Sequence, residues 1–263
     1  MSIVFITIPG SQKIEFGNLL HKQTQNGVDY VIVQKSKRTT IRKTLSNIAK
    51  TVGWLYVPRE LMYALLLRLS KKAKHYLQYF RTRDKKEKGL RHIPKVLEVD
   101  SVNSDEVYTL LQKLKPRLLV VWGTAVIEPR IFKIAKRAIN LHLGLGEYYR
   151  GAVANHFAVL NDELDKLGAT IHYINEKVDT GDMLATLYAD TTLPPKECFQ
   201  DLNNRAEHEL LRIALELWKG KDVESIPQEK KGGRNVLLRE WTPSRRWAVA
   251  KKLEQWEKEV KMK

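Results

Sequence analysis

The chain has 263 residues, 43% of them apolar and 29% charged, which fits a soluble globular protein of one large domain, or one domain with an appendage. Its single cysteine, Cys198, excludes an intramolecular disulfide framework and fits a reducing compartment. Forty-six Lys and Arg against thirty Asp and Glu give a net charge of +16, and its uneven spread excludes a chain that coats nucleic acid over its whole surface. Residues 35–95 carry eighteen basic and three acidic side chains, a net +15, residues 228–263 add +6, and the remaining body is −5.

In chain order, residues 3–8 form a β-branched run stopped by Pro9-Gly10-Ser11, the pattern of a buried parallel strand entering a turn. A polar helix over 12–26 and a strand over 29–34 complete a βαβ opening. The rhythm then breaks. Residues 36–92 read as a basic helical insertion, with Pro58 in a first turn and Leu61, Leu65 and Leu69 at four-residue spacing. Met62, Leu66, Tyr76 and Phe80 extend that apolar face, and Lys71, Lys72, Lys74, Arg81 and Arg83 crowd the later turns. Strand and helix alternate again from 95: strands at 95–99, 117–122, 138–142, 168–175 and 183–189, helices at 104–114, 129–136, 152–163 and 196–219. Gly232-Gly233 opens a tail with a short strand over 234–241 and a charged helix over 243–261. The expected organisation is a body over 1–227, carrying the insertion at about 36–92, and a short basic extension over 228–263.

The N-terminal apolar run lacks a positive flank and is a poor signal peptide. The longest uncharged apolar run of the insertion, 61–67, falls far short of the ~18–20 residues of a membrane span. A cytoplasmic chain is expected, at most peripheral at a membrane.

The chemistry concentrates in 138–186. Asn140 and His142 sit two apart on a strand and share a face, near the strand's C-terminal end, where open α/β sheets bind ligands. An amide, an imidazole and a nearby carboxylate can serve acyl transfer without a covalent enzyme intermediate. The amide donates to a developing oxyanion, the imidazole donates or takes the amine proton, and the carboxylate orients the ring. On spacing alone, a histidine at a strand end is more often structural.

Asn140-Leu-His142, the loop closing in Tyr149-Arg150-Gly151, the strand Gly168-Ala-Thr-Ile-His172 and the turn Asp179-Thr-Gly-Asp182 occur in that order. Together they resemble the catalytic region of the 10-formyltetrahydrofolate-dependent formyltransferases, a family that includes the glycinamide ribonucleotide, methionyl-tRNA and nucleotide-sugar enzymes. The likeness is dense over about 117–190, looser at 3–8 and 196–219, and does not reach the insertion. It implies an α/β fold, a Rossmann-like mostly parallel sheet with helices on both faces, to which the basic helical insertion is added. It also implies a catalytic set of Asn140, His142 and Asp179. The cofactor, 10-formyltetrahydrofolate, would be held by Trp122, Gly123, Thr124 and Val126 on one wall and by Glu176 and Val178 on the other. Gly10, Ser11 and Arg150 would contact the acceptor, a small-molecule amine. The preferred acceptor is a nucleotide-sugar used in surface polysaccharide synthesis, because the tail is too short for the C-terminal domain of methionyl-tRNA formyltransferase. Alternatives are methionyl-tRNA or glycinamide ribonucleotide, a hydrolase of the same cofactor, and a non-catalytic scaffold binding membrane or RNA.

The loop 143–147 (Leu-Gly-Leu-Gly-Glu) departs from the family's proline-rich stretch and reads as more flexible. His172, alternating with apolar neighbours, reads as structural. Asn155 and His156 read equally as pocket lining and as packing, Cys198 as packing, and Asp182 as a turn residue. No spacing predicts a metal site. For the insertion three readings compete: a helical subdomain packed on the body, a membrane-surface helix, and an arm for an acceptor or nucleic acid.

Overall fold

The computed structural model describes residues 2–35, 40–80, 91–229 and 233–262; Arg81, Arg83 and Gly232 lie outside them. The elements begin β1 (Ile3–Thr7), α1 (Ser11–Gln23) and β2 (Val28–Gln34), then the insertion helices α2 (Ile41–Val52), α3 (Val57–Leu69) and α4 (Lys71–Leu77). There follow β3 (Lys95–Val99), α5 (Asp105–Leu114), β4 (Leu118–Trp122), α6 (Pro129–Phe132), β5 (Arg137–His142), β6 (Tyr149–Arg150) and α7 (Ala154–Leu160). The chain continues through β7 (Gly168–Tyr173), β8 (Met183–Tyr188), α8 (Pro195–Trp218), β9 (Arg234–Asn235) and α9 (Pro243–Lys261).

Seven strands form one sheet in the order β3-β2-β1-β4-β5-β7-β8. The first five run parallel, and β7 is antiparallel to both of its neighbours, β5 and β8. The β-branched runs are continuous because both faces are covered. Ile3, Phe5, Val120 and Trp122 pack towards α1 and α8, while Val4, Ile6, Leu119 and Val121 pack towards α5 and α6. The order reverses between β1 and β4, and at such a switch point the following loops diverge to leave a crevice at the strands' C-terminal edge.

Some elements are shorter than their sequence pattern. The 129–136 segment yields only α6, because Lys136 and Arg137 donate their N–H groups to Pro116 and Arg117 and are drawn into the start of β5. Helix α7 stops before Asp162, whose φ of 59° is left-handed. Of 234–241 only β9 is strand, paired parallel to β6, and a 3₁₀ turn follows at Leu238–Glu240.

The insertion is helical, with Pro58 in the first turn of α3, but its apolar face is divided. Tyr76 and Phe80 pack inward, whereas Leu61, Met62, Leu65 and Leu69 are exposed. Helix α9 is the reason. It presents Val249, Ala250, Leu253 and Trp256 to a second core shared with α4, α7 and α8, and α3 meets it through Tyr63, beside Trp247, and Leu67.

Glu60 fixes that contact. The residue is 0% exposed and accepts from the Ser244 amide at 2.9 Å and the Ser244 hydroxyl at 2.6 Å, capping the first turn of α9. Burial opposes its charge, but the two bonds from Ser244 and the neighbouring Arg59 hold the carboxyl below its ordinary value. Glu60→Ala is expected to lower stability by about 2–3 kcal/mol, the scale of a lost charge-assisted bond. Glu60→Gln should recover part of it. An unchanged urea midpoint in Glu60→Ala would remove this role.

Candidate active site

The C-terminal ends of β1, β4 and β5 lie on one edge of the sheet, because the three strands are parallel neighbours. They place Gly10–Ser11, Gly123–Val126 and Asn140–His142 on that edge. The antiparallel partner β7 sets His172 directly opposite Asn140, and His142 opposite Thr170. The β7–β8 loop then delivers Asp179, whose φ of 49° is a left-handed conformation that Asp tolerates better than most residues.

Three predicted residues converge. Asn140 Nδ2 lies 3.3 Å from Asp179 Oδ1, and His142 Nδ1 lies 3.4 Å from Asp179 Oδ2. The other ring nitrogen, Nε2, is 3.0 Å from the Tyr149 carbonyl. A carbonyl only accepts, so Nε2 carries a proton, and the ring becomes an ion-pair partner of Asp179 when Nδ1 is protonated as well. The backbone N–H of Gly151 donates to Asp179 Oδ2 at 3.0 Å.

The fourth member is His172, which its apolar neighbours had marked as structural. Its Nε2 lies 3.4 Å from Asp179 Oδ1 and 3.2 Å from Asn140 Nδ2. Its Nδ1 donates to the Tyr173 carbonyl at 2.8 Å. Asp179 is therefore held between two imidazoles.

Burial would raise the Asp179 carboxyl, but the charge of His142, the bond and charge of His172 and the Gly151 amide outweigh it and hold the group well below the usual carboxylate range. A depressed folded value gives stability that is present above the unfolded value, about 3.9, and is lost as pH falls through the folded one. Acid unfolding of the parent protein should thus show a pH-dependent component below about pH 4 that Asp179→Asn lacks. Superimposable acid transitions would contradict that assignment.

The loop 143–147 is pinned rather than loose. Thr170 Oγ1 donates to the Gly144 carbonyl at 2.9 Å, and Leu145 is buried. A Cβ at Gly144 would lie 2.4 Å from Ala154 Cβ and 2.5 Å from His142 Nε2. That glycine serves close approach to the imidazole, not chain freedom. Arg150, expected at the acceptor, donates from Nε to the Gly146 carbonyl at 2.8 Å and braces the same loop.

The remaining predicted residues lie at or just beyond the C-terminal ends of β1, β4 and β7. The Trp122 side chain is in the core against Phe16, with Lys13 Nζ 3.1 Å above its ring, so only its backbone stands at the edge. Gly123 turns the chain with φ of 81°. Thr124 is half-buried and Val126 is 63% exposed. Glu176 pairs with Lys133, and Val178 is half-buried. Gly10 and Ser11 begin α1. Asn155 exchanges hydrogen bonds with the backbone of Gly168 at 2.9 and 3.1 Å and so ties α7 to β7. His156 stacks on Phe80 with centroids 3.9 Å apart, and burial pushes its ring down to about 3; both act in packing. Cys198 is buried, and burial pushes its thiol up to about 12.

The sequence profile of the formyl transferase family matches residues 2–215. Among curated proteins, the methionyl-tRNA formyltransferase of Alkaliphilus oremlandii is 31% identical over 148 residues, 54% of this chain and 47% of that protein. The Bacillus subtilis methionyl-tRNA formyltransferase is 34% identical over 107 residues, 40% of this chain and 33% of that protein. The chain thus matches about half the length, or less, of these relatives. Among solved structures, a sugar N-formyltransferase from Shewanella sp FDAARGOS_354 aligns with a TM-score of 0.54 at 14% identity, over 95% of this chain and 88% of that one. The N-formyltransferase from Helicobacter canadensis, solved with folinic acid and dTDP-3-aminofucose, aligns with a TM-score of 0.52 at 14% identity, over 89% and 71%. These likenesses establish a common fold. The profile spans both the Asn140–His142 strand end and the Asp179 loop, and the chain belongs to the formyl transferase family.

Proposed function

We propose that the chain transfers a formyl group from 10-formyltetrahydrofolate to a primary amine, and that Asn140, His142 and Asp179 carry the transfer. The observation behind this reading is their convergence within 3.4 Å at the edge where the strand order reverses. The cofactor supplies the formyl carbon. The residues beyond β4 suit a flat heterocycle with amide-like edges: Gly123 turns the backbone outward and Val126 offers an exposed apolar side chain. Thr124 belongs to the same wall, Glu176 and Val178 to the opposite one. Gly10, Ser11 and Arg150 flank the acceptor side, where a helix start and a guanidinium suit phosphate.

The amine attacks the formyl carbon and gives up a proton; the old C–N bond breaks and its nitrogen takes one. Asn140 Nδ2 donates to the formyl oxygen as charge builds there, and His142 joins it by exchanging its Nε2 bond to the Tyr149 carbonyl for one to that oxygen. Asp179, its carboxyl held below the ordinary range, stays ionised between the two imidazoles. It acts as a fixed negative charge that orients the His142 ring.

For the acceptor the first reading is the amino group of a nucleotide-sugar; the Shewanella sugar N-formyltransferase shares this fold over 95% of this chain. A second reading, methionyl-tRNA, draws on the 31–34% identity to curated enzymes of that name. One assay separates them. The protein is incubated with 10-formyltetrahydrofolate and either nucleotide-linked amino sugars or methionyl-tRNA, and products are read by mass. Formylation of an amino sugar alone is expected; formylation of methionyl-tRNA alone would replace the acceptor, and no product with either would end the transferase reading.

A further inference from the structure

Helix α3 is apolar on two opposite faces. Glu60, Tyr63 and Leu67 turn towards α9. At 3.6 residues per turn, Leu61, Leu65, Leu69 and Met62 form a stripe roughly 100° wide on the far side. Arg68 falls at one edge of the stripe and Arg59 at the other. All four apolar side chains are exposed, Leu69 by 69%. The 3₁₀ turn Trp54–Tyr56, just before α3, adds three more, with Trp54 73% and Leu55 85% exposed. Seven large apolar side chains are thus exposed within residues 54–69, and exposed apolar surface on this scale marks a contact surface.

Charge decides between its partners. Arg42, Lys43 and Lys50 on α2, Arg59 and Arg68 on α3 and Lys71 on α4 are all exposed, and residues 35–95 carry +15. A second copy would set this excess against itself, since a twofold contact brings like patches together. Nucleic acid would use the cations but leave the leucines and Met62 in water. An anionic bilayer satisfies both, because apolar side chains enter the acyl boundary, Trp and Tyr sit at headgroup level and Lys and Arg meet the lipid phosphates.

We propose that the outer face of α3, with the Trp54–Tyr56 turn, docks the protein on an anionic membrane surface. Leu55, Leu61, Leu65 and Leu69 insert, and Arg59, Arg68 and Lys71 remain at the headgroups. No helix among the described residues is long and apolar enough to cross a membrane, so the contact is peripheral. It is independent of which amine is formylated.

The test is co-sedimentation of the full chain with vesicles of phosphatidylcholine, alone or mixed with phosphatidylglycerol, at low and high salt. Binding to the mixed vesicles is expected, at least ~10-fold weaker on neutral vesicles and weakened by salt. Changing Leu55, Leu65 and Leu69 together to Ser should weaken binding by a further ~10-fold or more, with the unfolding midpoint unchanged because the side chains are exposed. Arg68→Glu, a single surface change, should weaken it as well. Absence of binding to anionic vesicles would overturn the proposal, as would leucine variants that bind like the parent. So would a dimer, seen by sedimentation velocity, that Leu65→Ser dissociates.

Discussion

His142→Ala and Asp179→Asn are each expected to lower formyl transfer by at least ~100-fold, mostly in kcat. The reason is geometric. His142 Nδ1 and Asp179 Oδ2 are 3.4 Å apart in a site that excludes most solvent, with His142 only 7% exposed, so the carboxylate charge acts on the ring with little screening. Asp179→Asn keeps the shape of the side chain but removes that charge and cannot pair with two imidazoles as an anion. The double variant should be little worse than the worse single one, because the two groups act as a unit. Steady-state kinetics with whichever acceptor the product assay yields decides the matter: near-normal turnover in both single variants would remove the mechanism.

Gly181→Ala should be nearly as damaging, although Gly181 has no side chain to contribute. A Cβ there would stand 1.7 Å from the Tyr173 carbonyl oxygen. That obstacle is backbone within the sheet and cannot rotate away. It is also the oxygen to which His172 Nδ1 donates, and His172 in turn meets Asn140 and Asp179. One added methyl therefore either expels the loop that carries Asp179 or moves the carbonyl that anchors His172. Overpacking of this kind costs about 1–3 kcal/mol, and an activity loss approaching that of Asp179→Asn is expected. Urea unfolding and kinetics on one preparation check both; a variant as stable and as active as the parent would show that the close approach is dispensable.

Much of the fold was legible because covered strands leave continuous β-branched runs, as in Ile3–Thr7 and Leu118–Trp122. The candidate site was legible where motif spacing is local: Asn140 and His142 share a strand, and Asp179 lies in a recognisable turn. His172 was in view, but its meeting with Asn140 depends on the β5–β7 register, which strand alternation does not encode. The orientation of α3 was hidden for a different reason. With Leu61, Leu65 and Leu69 outward and Tyr63 and Leu67 inward, the helix has no polar stripe to mark its solvent side. Arg59 and Arg68 stay exposed beside the outward leucines, but Glu60 points inward to cap a helix almost two hundred positions away, a pairing that nothing local announces. The pinned loop was misread because glycine was equated with freedom, where at Gly144 it admits a neighbour's side chain.

The second core has a consequence for how the protein is made. It gathers Tyr76 and Tyr79 from the insertion, Phe157 and Phe199 from the middle of the chain and Leu253 and Trp256 from α9. The parallel strands β1 to β5 can pair once residue 142 has been synthesised, but this aromatic cluster must wait for a helix made more than a hundred residues later. Between those moments the insertion helices emerge from the ribosome without the surface that Glu60 caps. A nascent chain stalled before α9 would then present both faces of α3 together, which makes that interval the one in which chaperone binding or aggregation should concentrate.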